Sequence, residues 1–93
     1  MTFLDELSIR TRNYIALERK KEYKNKEDYK YIIKYVFKAL QDMGVHYHVI
    51  SMRENDSLVF YSLDVRSITN RLTPLFFLPL NDFDINYFTF IKI

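Results

Sequence analysis

One glycine, two prolines, no cysteine and no tryptophan occur in a chain of 93 residues. Each shortage excludes something. Gly44 is the only residue without a Cβ. A phosphate-cradling P-loop, a Rossmann G-x-G-x-x-G turn and a G-x-S-x-G elbow each need at least two such positions, so none can be built. Without cysteine there is no disulfide frame, thiol nucleophile, zinc finger or iron–sulfur ligation. The longest apolar stretch, Leu75-Phe76-Phe77-Leu78-Pro79-Leu80, contains a proline. It is far shorter than the roughly 20 apolar residues that span a bilayer, so no membrane partner is expected. Met1 to Glu6 is acidic and lacks the charged-then-apolar pattern of a secretory signal. A cytoplasmic protein with no cofactor is the expectation.

The composition is that of a chain with a core. It is 48% hydrophobic and 28% charged, with eight Phe and eight Tyr, and its 93 residues fit a single domain over 1–93. The net charge of +2 is too mild to imply nucleic acid by itself. Its distribution says more. Residues 1–44 hold ten basic and seven acidic side chains, whereas residues 45–93 hold four basic and five acidic. The basic excess lies between Arg19 and Lys38.

Periodicity divides the chain at Gly44. Thr2 is an N-cap with Asp5 three residues on, a capping-box pattern. Leu4, Leu7, Thr11, Tyr14 and Ile15 then keep helical spacing, flanked by Phe3 and Leu17, which predicts a helix over 3–22. After the polar break at 23–26, Tyr29, Ile32, Ile33, Val36, Phe37, Leu40 and Met43 fall on one face of a second helix. Gly44 supplies the left-handed residue that stops it. The short break implies antiparallel neighbours, a helical hairpin of residues 1–44.

Beyond Gly44 the period becomes two. Strands are predicted over 45–52 and 58–65, joined by a five-residue turn in which Asn55 or Asp56 takes the positive φ. Arg66 to Leu72 reads as a short helical turn. Pro74 and Pro79 argue against regular structure around them. Asn86 to Ile93 is the last strand, with Tyr87, Thr89, Ile91 and Ile93 on its buried face. The fold class is therefore α+β, in the order α-α-β-β-(short α)-β. The helical hairpin packs on a three-stranded antiparallel sheet.

Few residues carry recognisable chemistry. His46-Tyr47-His48 in a strand would point both imidazoles to one side, where they could chelate a divalent metal. The triplet is similar to the His-hydrophobic-His strand motif of the HUH nucleases. That resemblance implies a metal on His46 and His48 and a helical tyrosine nucleophile. The tyrosines that follow, Tyr61 and Tyr87, fall in strand candidates, so a solvent-facing strand with two ordinary histidines is the reading adopted. The carboxylates are scattered through caps and turns, and nothing marks a catalytic pair. His46 and His48 could meet Ser51 or Ser62, a question spacing does not answer.

The basic-aromatic segment is the stronger signal. Lys20, Lys21 and Lys24 crowd the helix junction, and Tyr31, Lys34 and Lys38 lie opposite the apolar stripe with Tyr35 beside them. Lysines neutralise phosphates and tyrosines stack on unpaired bases, but tyrosines also anchor protein interfaces. In the C-terminal third, the strand face bearing Phe88 and Phe90 needs a cover. Residues 72–80 or a second copy of the chain would supply it, and self-association through Phe88 and Phe90 is expected.

The expected function is a non-catalytic interaction module that occupies a host protein, as small motif-free domains of phages and mobile elements do. The alternative is an RNA-acting protein. Two helices followed by an antiparallel sheet resembles the RelE-type ribonuclease toxins in element order. Those toxins open with a strand and carry basic residues on the sheet, whereas this sheet half is net −1.

Overall fold

A capping box starts the first helix. Thr2 N–H donates to Asp5 Oδ2 (3.3 Å) and Asp5 N–H donates to Thr2 Oγ1 (3.1 Å). The computed structural model describes residues 1–17, 29–64 and 71–93. Within them α1 runs Phe3–Leu17 and α2 Tyr29–Asp42, followed by four strands: β1 Val49–Glu54, β2 Ser57–Asp64, β3 Arg71–Pro79 and β4 Ile91–Lys92. The α+β class is as the sequence indicates, but the sheet has four strands rather than three: β3 was not expected, and the short β4 is what remains of the expected last strand.

α2 stops as its glycine requires. Gly44 has φ +81°, Gly44 N–H donates to Gln41 O (3.1 Å) and Val45 N–H to Leu40 O (3.0 Å). This is a Schellman motif, with Val45 packed against the core that contains Leu40. α1 and α2 pack against each other. Tyr14, in the last turn of α1, donates to Asp42 at the end of α2.

The sheet is an antiparallel meander in the order β1-β2-β3-β4. The β1–β2 turn holds two residues rather than five, since Glu54 pairs with Ser57, and Asn55 takes the positive φ of 55°. Strand β1 starts at Val49, so residues 45–48 are not strand. Both prolines lie within β3, against expectation. Pro74 pairs with Tyr61 beside a bulge that leaves Leu75 without an opposite residue, and β4 reaches only Phe76 and Phe77. Pro79 is the strand's last residue. At a bulge and at a strand end, the missing N–H breaks no continuous ladder. Of the predicted helical turn, residues 66–70 lie outside the described residues, and Arg71 and Leu72 are strand.

Register fixes the two faces of the sheet. Leu58, Phe60, Phe76 and Leu78 point inward and meet Leu7, Ile15, Ile32, Val36, Ala39 and Leu40 of the helices. The last strand differs most from expectation. Only Ile91 and Lys92 are strand, while Phe88 and Phe90 are buried in the core and Tyr87, Thr89, Ile91 and Ile93 are exposed. Phe88 and Phe90 therefore offer no surface to a second copy. The assigned faces are reversed because an irregular segment, not a sheet face, carries these phenylalanines inward.

Ser8 couples this segment to α1. Its hydroxyl donates to Leu4 O (2.8 Å) and accepts from the buried Phe90 N–H (3.1 Å). Arg12 adds a second tie, its guanidinium 4.9 Å from the Tyr87 ring centre. Thr11 Oγ1, also buried, has no hydrogen-bond partner among the described residues.

Ser8→Ala would strand the Phe90 N–H, and a loss of about 1–3 kcal/mol in urea denaturation is expected. Thr11→Val removes an unpaired hydroxyl at equal volume. It should be neutral or stabilising by up to about 1 kcal/mol in the same assay. The capping box makes a pH-dependent contribution. The Thr2 hydroxyl and then the Thr2 N–H hold the Asp5 carboxyl below its ordinary range. A carboxyl lowered in the folded state stabilises above its unfolded pKa, and that contribution fades as pH falls through the lowered value. Thr2→Ala should be less stable than the parent at pH 7, with the gap narrowing towards pH 2.

Candidate functional site

The helical spacing of α2 sorts its tyrosines. Ile32, Tyr35, Val36, Ala39 and Leu40 are buried, so the inward face is turned towards Tyr35 and Ala39 from the stripe that includes Ile33 and Phe37. Ala39 is fully buried in the core. Phe37 sits at the rim with its ring edge-on to Phe60 (6.3 Å, 82°). Tyr35 is therefore a core residue with 7% exposure, not a partner-facing one, whereas Tyr31 is 45% exposed.

Lys30, Lys34 and Lys38 recur every fourth residue on the solvent side of α2, about 6 Å apart along the axis. Two of them lie over aromatic rings. Lys34 Nζ is 5.2 Å from the Tyr35 ring centre and Lys38 Nζ is 4.7 Å from that of Tyr14. Such contacts are worth about 0.5–1 kcal/mol at exposed sites. They hold the ammonium groups near the helix surface, and they cover the rings beneath. Tyr31, Lys34 and Lys38 are thus brought together as expected. Lys20, Lys21 and Lys24 lie outside the described residues.

His46, Tyr47 and His48 form the irregular link between α2 and β1 and are exposed. The alternation that would have pointed both rings one way is absent, because pairing of the segment with β2 begins at its end: Leu63 N–H donates to His48 O (3.0 Å). The link borders a cleft of about 670 Å³ shared with Ser62, Asp64 and Thr73. The sheet thus brings both histidines near Ser62 and away from Ser51, which is paired with Phe60 further along β1. Among the described residues no group of three His, Asp or Glu side chains could hold a metal ion. On the other side of Tyr47 and Leu75 lies an apolar cleft of about 480 Å³ walled by Phe3, Leu4, Leu40, Val49 and Phe76, with Lys92 also lining it.

One feature escaped the sequence reading. The outer face of the sheet carries Ile50, Met52, Val59, Tyr61, Leu63 and Phe77, none of which belongs to the core cluster or packs against it. The signal was present. Leu58-Val59-Phe60-Tyr61 is apolar at both parities, the pattern of a strand with something to bury on each side.

The chain matches no known protein family, no curated protein and no solved structure.

The two tyrosines separate by stability. Tyr35→Ala should cost about 3–5 kcal/mol, as aromatic truncations in cores do. Tyr31→Ala should stay within about 0.5 kcal/mol of the parent, as surface changes do, in the same denaturation experiment.

Proposed function

We propose that this protein is a non-catalytic interaction module that binds an acidic patch on a partner protein through the solvent side of α2. The observation that supports this most is the row Lys30, Lys34 and Lys38 with the exposed Tyr31 ring beside it. Residues 29–41 contain three lysines and no carboxylate. Fixed charges flanking a rigid aromatic suit a protein interface, where tyrosine anchors binding and charges steer the encounter. A phage or mobile-element protein that acts by occupying a host protein fits this description by analogy of size and composition.

The same row could hold phosphates, so RNA is the competing ligand. The tyrosines count against it. Tyr35 is buried, and Tyr14 carries the Lys38 ammonium over its ring. Single-strand binding sites need open ring faces for bases to stack on, and these two faces are covered.

Affinity purification from a host cell, with the parent and with Tyr31→Ala/Lys34→Glu, tests the proposal. A specific partner should be held by the parent and weakened at least about 100-fold by the double substitution. Partners bound equally by both proteins would move the interface elsewhere. Binding of single-stranded RNA that weakens steeply between 50 and 200 mM salt would favour the nucleic-acid reading instead.

A further inference from the structure

We infer that this protein pairs with a second copy of itself through the outer face of its sheet. This uses a different surface from the α2 row and does not depend on it.

The pairing register lays apolar side chains across all four strands. Met52 is opposite Val59, Val59 opposite Phe77, and Phe77 opposite Ile91. The next row is Ile50, Tyr61 and Pro74, and beyond it Leu63 is opposite Leu72. The helices pack on the other face. Val59, in the centre, is 9% exposed, whereas Met52 and Ile91 at the two ends of the row are 40% and 44% exposed. A continuous apolar surface of this kind is uncommon on a monomer.

Charge selects the occupant. Arg53 turns to the helical side, its guanidinium 5.2 Å from the Tyr29 ring centre, and Lys92 is opposite the inward Phe76. The one ionised group of β1 to β4 that register places on the outer face is Glu54, at the hairpin corner, where its carboxylate accepts from the Tyr61 hydroxyl. With a single carboxylate at its corner, the patch meets its own copy with little like-charge repulsion. The lysine row of α2 could not. Nor does this face offer the cations that phosphates of a nucleic acid or an anionic lipid surface require.

The area is sufficient. Strands about 4.8 Å apart, rising about 3.3 Å per residue, make the face roughly 20 Å by 25 Å. Two copies would remove on the order of 1,000 Å² from water, the lower bound for a specific protein interface. Two such faces pack about 10 Å apart as an aligned sandwich related by a two-fold axis. The helices then lie on the two outsides, and the dimer presents two copies of the α2 row facing away from each other.

Sedimentation equilibrium tests this directly. The parent should sediment at twice its 11.4 kDa at about 100 µM chain and dissociate on dilution. Met52→Glu/Ile91→Glu changes two exposed positions and should keep the far-UV spectrum while raising the dissociation constant at least about 100-fold. A parent that remains a monomer at about 200 µM overturns the inference, as does a folded double variant that still pairs as the parent does. The cysteine-free chain allows a second readout that needs no disruptive substitution. Nitroxides on Met52→Cys should lie within about 30 Å of each other across the dimer, and those on Gln41→Cys beyond about 40 Å. The reverse order would place the contact on the helices and overturn the inference.

Discussion

Phe90 is the point on which the architecture turns. Its ring lies 5.2 Å from Phe76, 5.8 Å from Phe60 and 5.6 Å from Phe88, all three edge-on. Phe60 and Phe76 stack at 4.9 Å beneath it. Each such pair is worth about 0.5–1.5 kcal/mol beyond the area it buries. The backbone N–H of Phe90 would be an unpaired donor in this apolar setting, and the Ser8 hydroxyl meets it. This hydrogen bond, with the Arg12–Tyr87 contact, ties α1 to the C-terminal segment. The ring contacts fix where that segment stands relative to β2 and β3.

The rest follows from that anchoring. Residues 81–90 run inward as irregular chain, so the sheet gains only two residues of fourth strand. The phenylalanines that might have formed a second sheet face are consumed in the first. Helices and C-terminal segment together fill one side of the sheet, and the described residues leave the other side to Val59, Phe77 and their neighbours. A one-layer helical cover on a sheet that is apolar on both faces leaves an apolar surface without any dedicated motif.

Legibility varied with the kind of signal. Much of the local chemistry was readable. The Thr2–Asp5 box and the Gly44 stop are short-range events decided by a few residues, and the positive φ of the β1–β2 turn was narrowed to Asn55 or Asp56. The helix α2 was readable as an element, but its rotation was not. Ile33 and Phe37 are at least as hydrophobic as Tyr35 and Ala39, so hydrophobicity alone does not choose the inward face, and packing against the rest of the core does. That rotation buried Tyr35 and left Tyr31 exposed. The strand assignment at His46 to His48 failed for a related reason. Alternation in sequence marks a strand only where a neighbour pairs with it, and β2 ends its pairing with β1 at Val49.

By itself the sequence determined the class of fold, the division at Gly44, the basic helical half and the absence of thiol and glycine-loop chemistry. These depend on composition, on period and on residues with unusual backbone freedom, all of which are local. Tertiary structure decided which aromatics are core and which meet solvent, admitted Pro74 beside a bulge and Pro79 at a strand end, and turned Phe88 and Phe90 inward. It also decided that the surplus apolar surface lies on the back of β1 to β4. A side chain's hydrophobicity states that it should be covered, but only the packing of distant segments determines what covers it.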